Sequence, residues 1–282
     1  MANLLPVNKI YCDTAFKRKD SISNSNFKID LPQTLKLPDN CVFYIDDVSI
    51  PYVWHTVRAN TNDKLYFRIN GGTANAPNTD YIITLDSKTY SGTQFTAEVQ
   101  SKITFATAGT ATTGTYDTQS KRMSISVASF DITFLTDDEL KTLSFPNTSA
   151  FHGIDVNNLA SGNELLTNIF QASPVGNTAN PAEFYPMLTP VRNIYLKSPN
   201  LSSFNTIGCN GEASIIKKIP VNVAPGDMIT SNITSATDFL DCSRATWKTI
   251  EIMVQDVHGN EINLHGSNWS FSILFDIANP NI

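Results

Sequence analysis

The stretch Trp269-Ser-Phe-Ser-Ile-Leu-Phe-Asp-Ile277 sets Trp269, Phe271, Ile273, Phe275 and Ile277 on one side of an extended chain. Ser270, Ser272 and Asp276 fall on the other side. Side chains alternate between the two faces of a strand, so this pattern predicts a strand with one buried face. Just upstream, Ile250, Ile252 and Val254 alternate with Glu251 and Gln255. His258-Gly259-Asn260 offers turn residues between the two runs, which together read as a strand pair.

The same signature opens the chain. Phe27, Ile29 and Leu31 alternate with Lys28 and Asp30, and residues 41–50 are apolar on both faces, as expected of a strand between two layers. Strands are predicted at 27–31, 41–50, 64–69, 193–196, 213–223, 239–242, 248–256 and 269–277, about eight, the number of a jelly roll. Between residues 72 and 186 the character changes. Ser91-Gly-Thr-Gln94 resembles a capping box, with Phe95, Val99 and Ile103 at helical spacing behind it. Thr136-Asp-Asp-Glu139 and Ser161-Gly-Asn-Glu164 read as further helix starts. Alternating strands at Met123/Ile125/Val127 and Phe130/Ile132/Phe134 lie between the first two. The expected organisation is an N-terminal arm (1–25), a jelly-roll domain (26–72 plus 187–282) and a small α+β unit (73–186) inserted between the third and fourth strands. Proline-rich residues 180–190 read as the return linker.

Composition narrows the function. Only 16% of the 282 residues are charged, against roughly 25% in an average soluble protein, and Ser, Thr and Asn fill the gap. A neutral polar surface suits turn-rich β structure and subunit packing, because interface cores are poor in Lys, Glu and Asp. A net charge of −6 argues against a nucleic-acid binder, which carries a basic stripe. The cluster Lys17-Arg18-Lys19 reads as a solvated segment, or as a dock for an acidic neighbour. No run reaches the ~18 apolar residues of a membrane-spanning helix, and the first residues lack a signal-peptide pattern. The chain is therefore expected to stay in the cytosol, with Cys12, Cys41, Cys209 and Cys242 as reduced thiols; their spacing suggests neither zinc nor a disulfide framework.

A search for chemistry finds little. There is no His-x-His or His-x-Asp pair, no Gly-x-Ser-x-Gly elbow and no Gly-x-x-x-x-Gly-Lys phosphate loop. His258, Glu261 and His265 could bind zinc if strands aligned them, but their Gly- and Asn-rich surroundings favour turns. Asp137, Asp138 and Glu139 sit in the first turn of a predicted helix, where acidic residues favour the macrodipole. Asp46-Asp47 interrupts an apolar strand, so one of the pair should face solvent or be paired. No catalytic, cofactor-binding or metal residue is assigned, and the chain is not expected to be an enzyme.

Several strings carry a family likeness. They are Tyr11-Cys-Asp-Thr, Ser25-Asn-Phe-Lys-Ile-Asp-Leu-Pro32 and Phe43 to Ser49 with Ile50-Pro51 at one end. At the other are Leu196-Lys-Ser-Pro-Asn-Leu-Ser202, Ile216-Lys-Lys-Ile-Pro-Val221, Asp256-Val-His-Gly-Asn260 and Trp269-Ser-Phe-Ser-Ile-Leu-Phe275. In order and spacing, over about the first 70 and last 95 residues, the chain resembles the penton (vertex, or minor capsid) proteins of virophages and Polinton-like viruses. The resemblance implies a single jelly roll that forms homopentamers at the five-fold vertices of an icosahedral virion, beside a double-jelly-roll major capsid protein. It implies no enzymatic activity and no cofactor, and a location in the virion after assembly in the host cytoplasm. On this reading the arm orders on a neighbouring capsomer and the insertion contacts a host surface. The rival reading is a viral spike or carbohydrate-binding β-sandwich, in which Tyr52, Trp54, Tyr90 and Tyr185 stack on sugars from loops.

Overall fold

The alternating ends of the chain build two antiparallel sheets that bury their facing sides against one another. The computed structural model describes residues 5, 7–70, 79–135, 166–170, 182–201, 206–208, 211, 214–232 and 238–277. Contacts divide the chain into two compact units, Met1–Trp54 with Val191–Ile282, and His55–Pro190.

The first unit contributes β1 (Lys9–Asp13), β2 (Asn26–Lys36) and β3 (Cys41–Pro51) before the chain leaves it. The second unit then supplies β4 (Lys64–Asn70), β5 (Thr79–Thr84), α1 (Gly92–Ala106), β6 (Thr112–Asp117), β7 (Arg122–Val127), β8 (Asp131–Phe134), β9 (Leu166–Phe170) and β10 (Ala182–Pro186). The chain returns to the first unit with β11 (Asn193–Lys197), β12 (Ile215–Pro220), β13 (Met228–Ser231), β14 (Leu240–Asp241), β15 (Thr246–Gln255) and β16 (Ser270–Ile277).

Sheet order in the first unit is β1-β16-β3-β13, with the two-residue β14 also on β3, against β12-β11-β15-β2. Setting β14 aside, strands one, three, six and eight of this unit share one sheet, and strands two, four, five and seven the other. That alternation between layers is a jelly roll, as expected from the sequence. Its core is held across the layers by edge-to-face aromatic pairs. Phe27 of β2 meets Trp269 at 5.5 Å, and Phe43 of β3 meets Trp247 of β15 at 5.1 Å. Such pairs add about 0.5–1.5 kcal/mol beyond their buried area.

Four expectations change. Lys9–Asp13, placed in the arm by the sequence, is a barrel strand that pairs with β16 from Lys9↔Leu274 to Asp13↔Ser270. Lys64–Asn70, placed in the barrel, instead pairs with β5 and β8 in the second unit. β15 and β16 are not a strand pair: β15 bonds β2 and β11, while β16 bonds β1 and β3. Their apolar faces share one core because the chain between them crosses from layer to layer. β3 is buried on one face only, with Cys41, Phe43 and Ile45 inward and Val42 and Tyr44 half-buried outward.

The second unit has a three-stranded sheet, β5-β4-β8, and a four-stranded sheet, β6-β7-β10-β9. The predicted capping box is present: Ser91 Oγ accepts from the Gln94 N–H, and Gln94 Oε1 accepts from the Ser91 N–H. Behind it Phe95, Val99 and Ile103 are fully buried against Met123, Ile125 and Val127. Gln100 reaches the open edge of β6, its Nε2 donating to Thr112 O (3.0 Å) and its Oε1 accepting from the Gly114 N–H (3.1 Å). β10 lies within the stretch read as a linker. The helix starts expected at 136–139 and 161–164 lie outside the described residues.

Candidate assembly surface

A jelly roll has two flanks where sheet edges meet solvent. Here β1 and β2 are edge strands joined by residues 14–25, and β12 and β13 are edge strands joined by residues 221–227. Such short connections require the joined edges to lie on the same side of the sandwich. Large apolar side chains crowd both flanks. Tyr11 in β1 and Phe16 and Ile22 in the connection after it are each 79% exposed, while Ile207 (82%) lies beside β12 and Met228 (49%) opens β13. Val257, in the loop after β15, is the remaining exposed large apolar residue among those described in this unit.

The first flank is held firmly despite its exposed residues. Asp13 caps the 3-10 turn Thr14–Phe16 by accepting from the Ala15 N–H, which presents Phe16 outward. Arg18 N–H donates to Lys28 O (2.7 Å). Asn24 Nδ2 donates to Gly266 O (2.8 Å) and Ser267 O (2.9 Å), and the buried Trp269 Nε1 donates to Asn24 O (2.7 Å). The connection thus wraps the start of β16, and Ile22 projects from a fixed loop.

Within the basic cluster, Arg18 bonds Asp20 through Nε (2.9 Å) and Nη2 (3.1 Å), and Asp30 through Nη1 (3.3 Å). Arg18 holds the Asp20 carboxyl below its usual range; Thr249 and then Arg18 do so for Asp30. One of the cluster's three charges, that of Arg18, is therefore answered within the barrel, and Lys19 is exposed three residues after Phe16. On the outer face of the same sheet, Lys9 Nζ bonds Asp46 Oδ2 at 2.6 Å and lies 5.1 Å from the Tyr11 ring centroid. Leu274 sits between Lys9 and Tyr44, and Tyr44 meets Phe239 edge-on at 5.0 Å.

Asp46-Asp47 is a β-bulge, since Ile45 faces Ile273 and Val48 faces Phe271, leaving two residues opposite Ser272. Asp46 takes Lys9, and Asp47 faces solvent while its N–H donates to Ser272 Oγ (3.3 Å). The bulge also turns the Ile45 carbonyl toward β12, where the buried Lys217 Nζ donates to it at 2.6 Å. Burial lowers the Lys217 pKa, opposed by Asp238 and Asp46. Further along that flank a pocket of about 220 Å3 is lined by Tyr195, Thr206, Ile207, Ile215, Lys218 and Val257.

The other candidates are placed elsewhere. Among the described residues no group of three His, Cys, Asp or Glu side chains is arranged to hold a metal. Glu261 accepts from Ser23 Oγ, and the His258 and His265 N–H groups donate to Asp256 Oδ1 and Asn263 Oδ1 in turns. Asp137, Asp138 and Glu139 lie outside the described residues. Tyr52 and Trp54, proposed to stack on sugars, are each 1% exposed and stack on one another at 4.3 Å. Tyr90 is buried with its hydroxyl on Asp86 O (2.9 Å), and Tyr185 is half-buried beneath Arg122. Sequence reading gave the arm (1–25) as a whole to a neighbour contact and singled out none of Ile22, Ile207 and Met228. Ile22 and Ile207 have polar or glycine neighbours and Met228 adjoins only Ile229, so no periodicity marks any of them.

No helix among the described residues is long and apolar enough to cross a membrane. No protein-family model matches the chain, and no curated protein matches its sequence. In fold the chain is similar to the crystal structure of the selenomethionine-labelled mavirus penton protein, with a TM-score of 0.55 and 10% sequence identity. The likeness covers 96% of this chain and 100% of that one, so at this low identity it is a likeness of fold, and it runs through nearly the whole of both chains.

Proposed function

We propose that the chain is a structural capsid protein, a penton that forms homopentamers at the five-fold vertices of an icosahedral virion. The observation that carries this reading is the fold likeness to a penton protein over nearly the full length of both chains. Family resemblance in the barrel's own strings points the same way.

The barrel flanks support it physically. A closed ring of like subunits uses a heterologous contact, in which one flank of each copy meets the opposite flank of the next. Tyr11, Phe16 and Ile22 form one flank's anchors, and Ile207 and Met228 the other's. Charge agrees, because Lys19 stands three residues after Phe16 and the exposed Asp227 beside Met228. The outer neighbour in the shell is a double-jelly-roll major capsid protein, assembly takes place in the host cytoplasm, and the second unit is a candidate for host contact. No enzymatic role is proposed. The sugar-binding alternative loses ground, because Tyr52, Trp54 and Tyr90 are packed in cores.

Native mass spectrometry of the full chain, alone and co-expressed with its major capsid protein, tests this. The expected product is a five-membered ring, alone or at vertices seen by electron microscopy. Phe16→Asp combined with Met228→Asp should abolish the ring and leave the Tm within about 2 °C, since both side chains are exposed. A ring of another number, or a doubly substituted chain that still closes five-fold, would overturn the proposal.

A further inference from the structure

The residues after β14 continue its pairing with β3. Leu240 faces Phe43 and Asp241 faces Val42, so the next step of the same antiparallel register sets Cys242 opposite Cys41. The Cys242 N–H donates to Cys41 O at 2.9 Å, which confirms the step. Both side chains are buried in the barrel core, 0% and 5% exposed, and both are free thiols. Opposed residues of an antiparallel pair point to one face with Cα atoms about 4.5–5.5 Å apart, inside the ~4.4–6.8 Å that a disulfide spans. Cys12 cannot compete. It lies beside Phe271, which faces Val48 of β3, seven residues along the strand from Cys41 and so ~23 Å away.

We propose that Cys41 and Cys242 are a redox pair, held as thiols in a reducing compartment and closed to a disulfide by a small-molecule disulfide of the oxidised-glutathione class. The sulfur of one cysteine, as thiolate, attacks the small disulfide and releases one small thiolate, leaving a mixed disulfide. The second cysteine's sulfur then displaces the other small thiolate. The two cysteine protons pass to the two released thiolates, and two electrons pass from protein to oxidant. Burial raises both thiols above their ordinary pKa, so the thiolate is scarce while β14 is docked. Closure therefore waits on local opening of the two-residue β14. The bond ties β14 to β3 and encloses the whole second unit in its loop, so it stiffens the barrel once the protein leaves a reducing environment. None of this depends on the capsid reading.

The test uses the full chain incubated with oxidised glutathione, or with dithiothreitol, followed by non-reducing peptide mapping and thermal unfolding. The expected result is a Cys41–Cys242 cross-linked peptide, a mass lower by two hydrogens, and a Tm raised by about 5 °C or more that dithiothreitol reverses. Closure should be faster in mild urea, and Cys41→Ala and Cys242→Ala should each abolish the shift. Because the wild-type chain alone supplies the main readout, a misfolded variant does not spoil the test. No cross-link even in mild urea, a bond made through Cys12 or Cys209 instead, or a bond that leaves the Tm unchanged would each overturn the proposal.

Discussion

Replacing Trp269 by phenylalanine asks whether the segment between β1 and β2 is docked on the barrel or is a loose arm. The indole Nε1 donates to the Asn24 carbonyl at 2.7 Å in a buried setting. A phenyl ring removes that donor and leaves a buried acceptor unpaired, which costs about 1–3 kcal/mol. The phenyl ring keeps much of the edge contact with Phe27 (5.5 Å) and the stacking on Phe271 (5.2 Å), but the lost ring atoms leave a small void worth roughly 1 kcal/mol. The expected loss is thus about 2–4 kcal/mol, a large share of the ~5–15 kcal/mol that typically holds a domain. Urea unfolding followed by far-ultraviolet circular dichroism measures it, with an unchanged m-value expected. Asn24→Ala provides an internal check, because it removes the Nδ2 bonds to Gly266, Ser267 and Asn268 yet leaves the carbonyl that receives the indole. The two changes should each destabilise and should couple in a double-mutant cycle. A Trp269→Phe loss below about 0.5 kcal/mol would refute the docked geometry, since an unpaired buried carbonyl cannot be that cheap.

Deleting residues 1–24 should cripple folding rather than only assembly, because it removes β1 and uncovers the edge of β16; limited proteolysis and thermal unfolding check this, and an unchanged Tm would restore the arm reading. Gln100→Ala should cost about 1–3 kcal/mol and speed hydrogen exchange at the Gly114 amide, because the edge of β6 loses both side-chain partners. Acid should weaken the fold in one direction only. Hydrogen bonds from Arg18, Thr249, Arg244 and Lys102 hold Asp20, Asp30, Asp39 and Asp86 below the usual carboxylate range. The unfolded chain therefore binds more protons in that window, so stability is retained above about pH 4 and falls as pH drops through the lower folded values. These pairs are exposed, so added salt should shrink the effect, and a rise in stability on acidification would contradict it.

What could be read from residues was whatever a short window contains. The capping box at Ser91 and Gln94 and the helical spacing of Phe95, Val99 and Ile103 lie within thirteen residues, and all survive folding. The flank anchors could not be read, because a single Phe16 or Met228 looks the same in a core, a loop or an interface. The aromatics proposed for sugar stacking failed for the converse reason: Tyr52 and Trp54 follow a strand end, and only packing shows that they turn inward.

Sequence alone determined which side of the alternating strands β2, β15 and β16 is buried, because alternation is a local property with a period of two. From Trp269 to Phe275 the odd-numbered residues are buried, as the pattern demands. Only the tertiary structure decided which strands those faces meet. An apolar face on β16 serves equally well in either layer of a sandwich, so nothing local could separate β16 from β15, move Lys64–Asn70 out of the barrel or bring Lys9–Asp13 into it. The barrel pairings depend on hydrogen bonds between residues more than 200 apart and on a core that both layers must fill together, and the pairing of Lys64–Asn70 depends on partners as far along the chain as Phe134. The Asp46-Asp47 bulge belongs with them: it settles two carboxylates by changing register against Ser272, a partner that exists only after β3 and β16 have met.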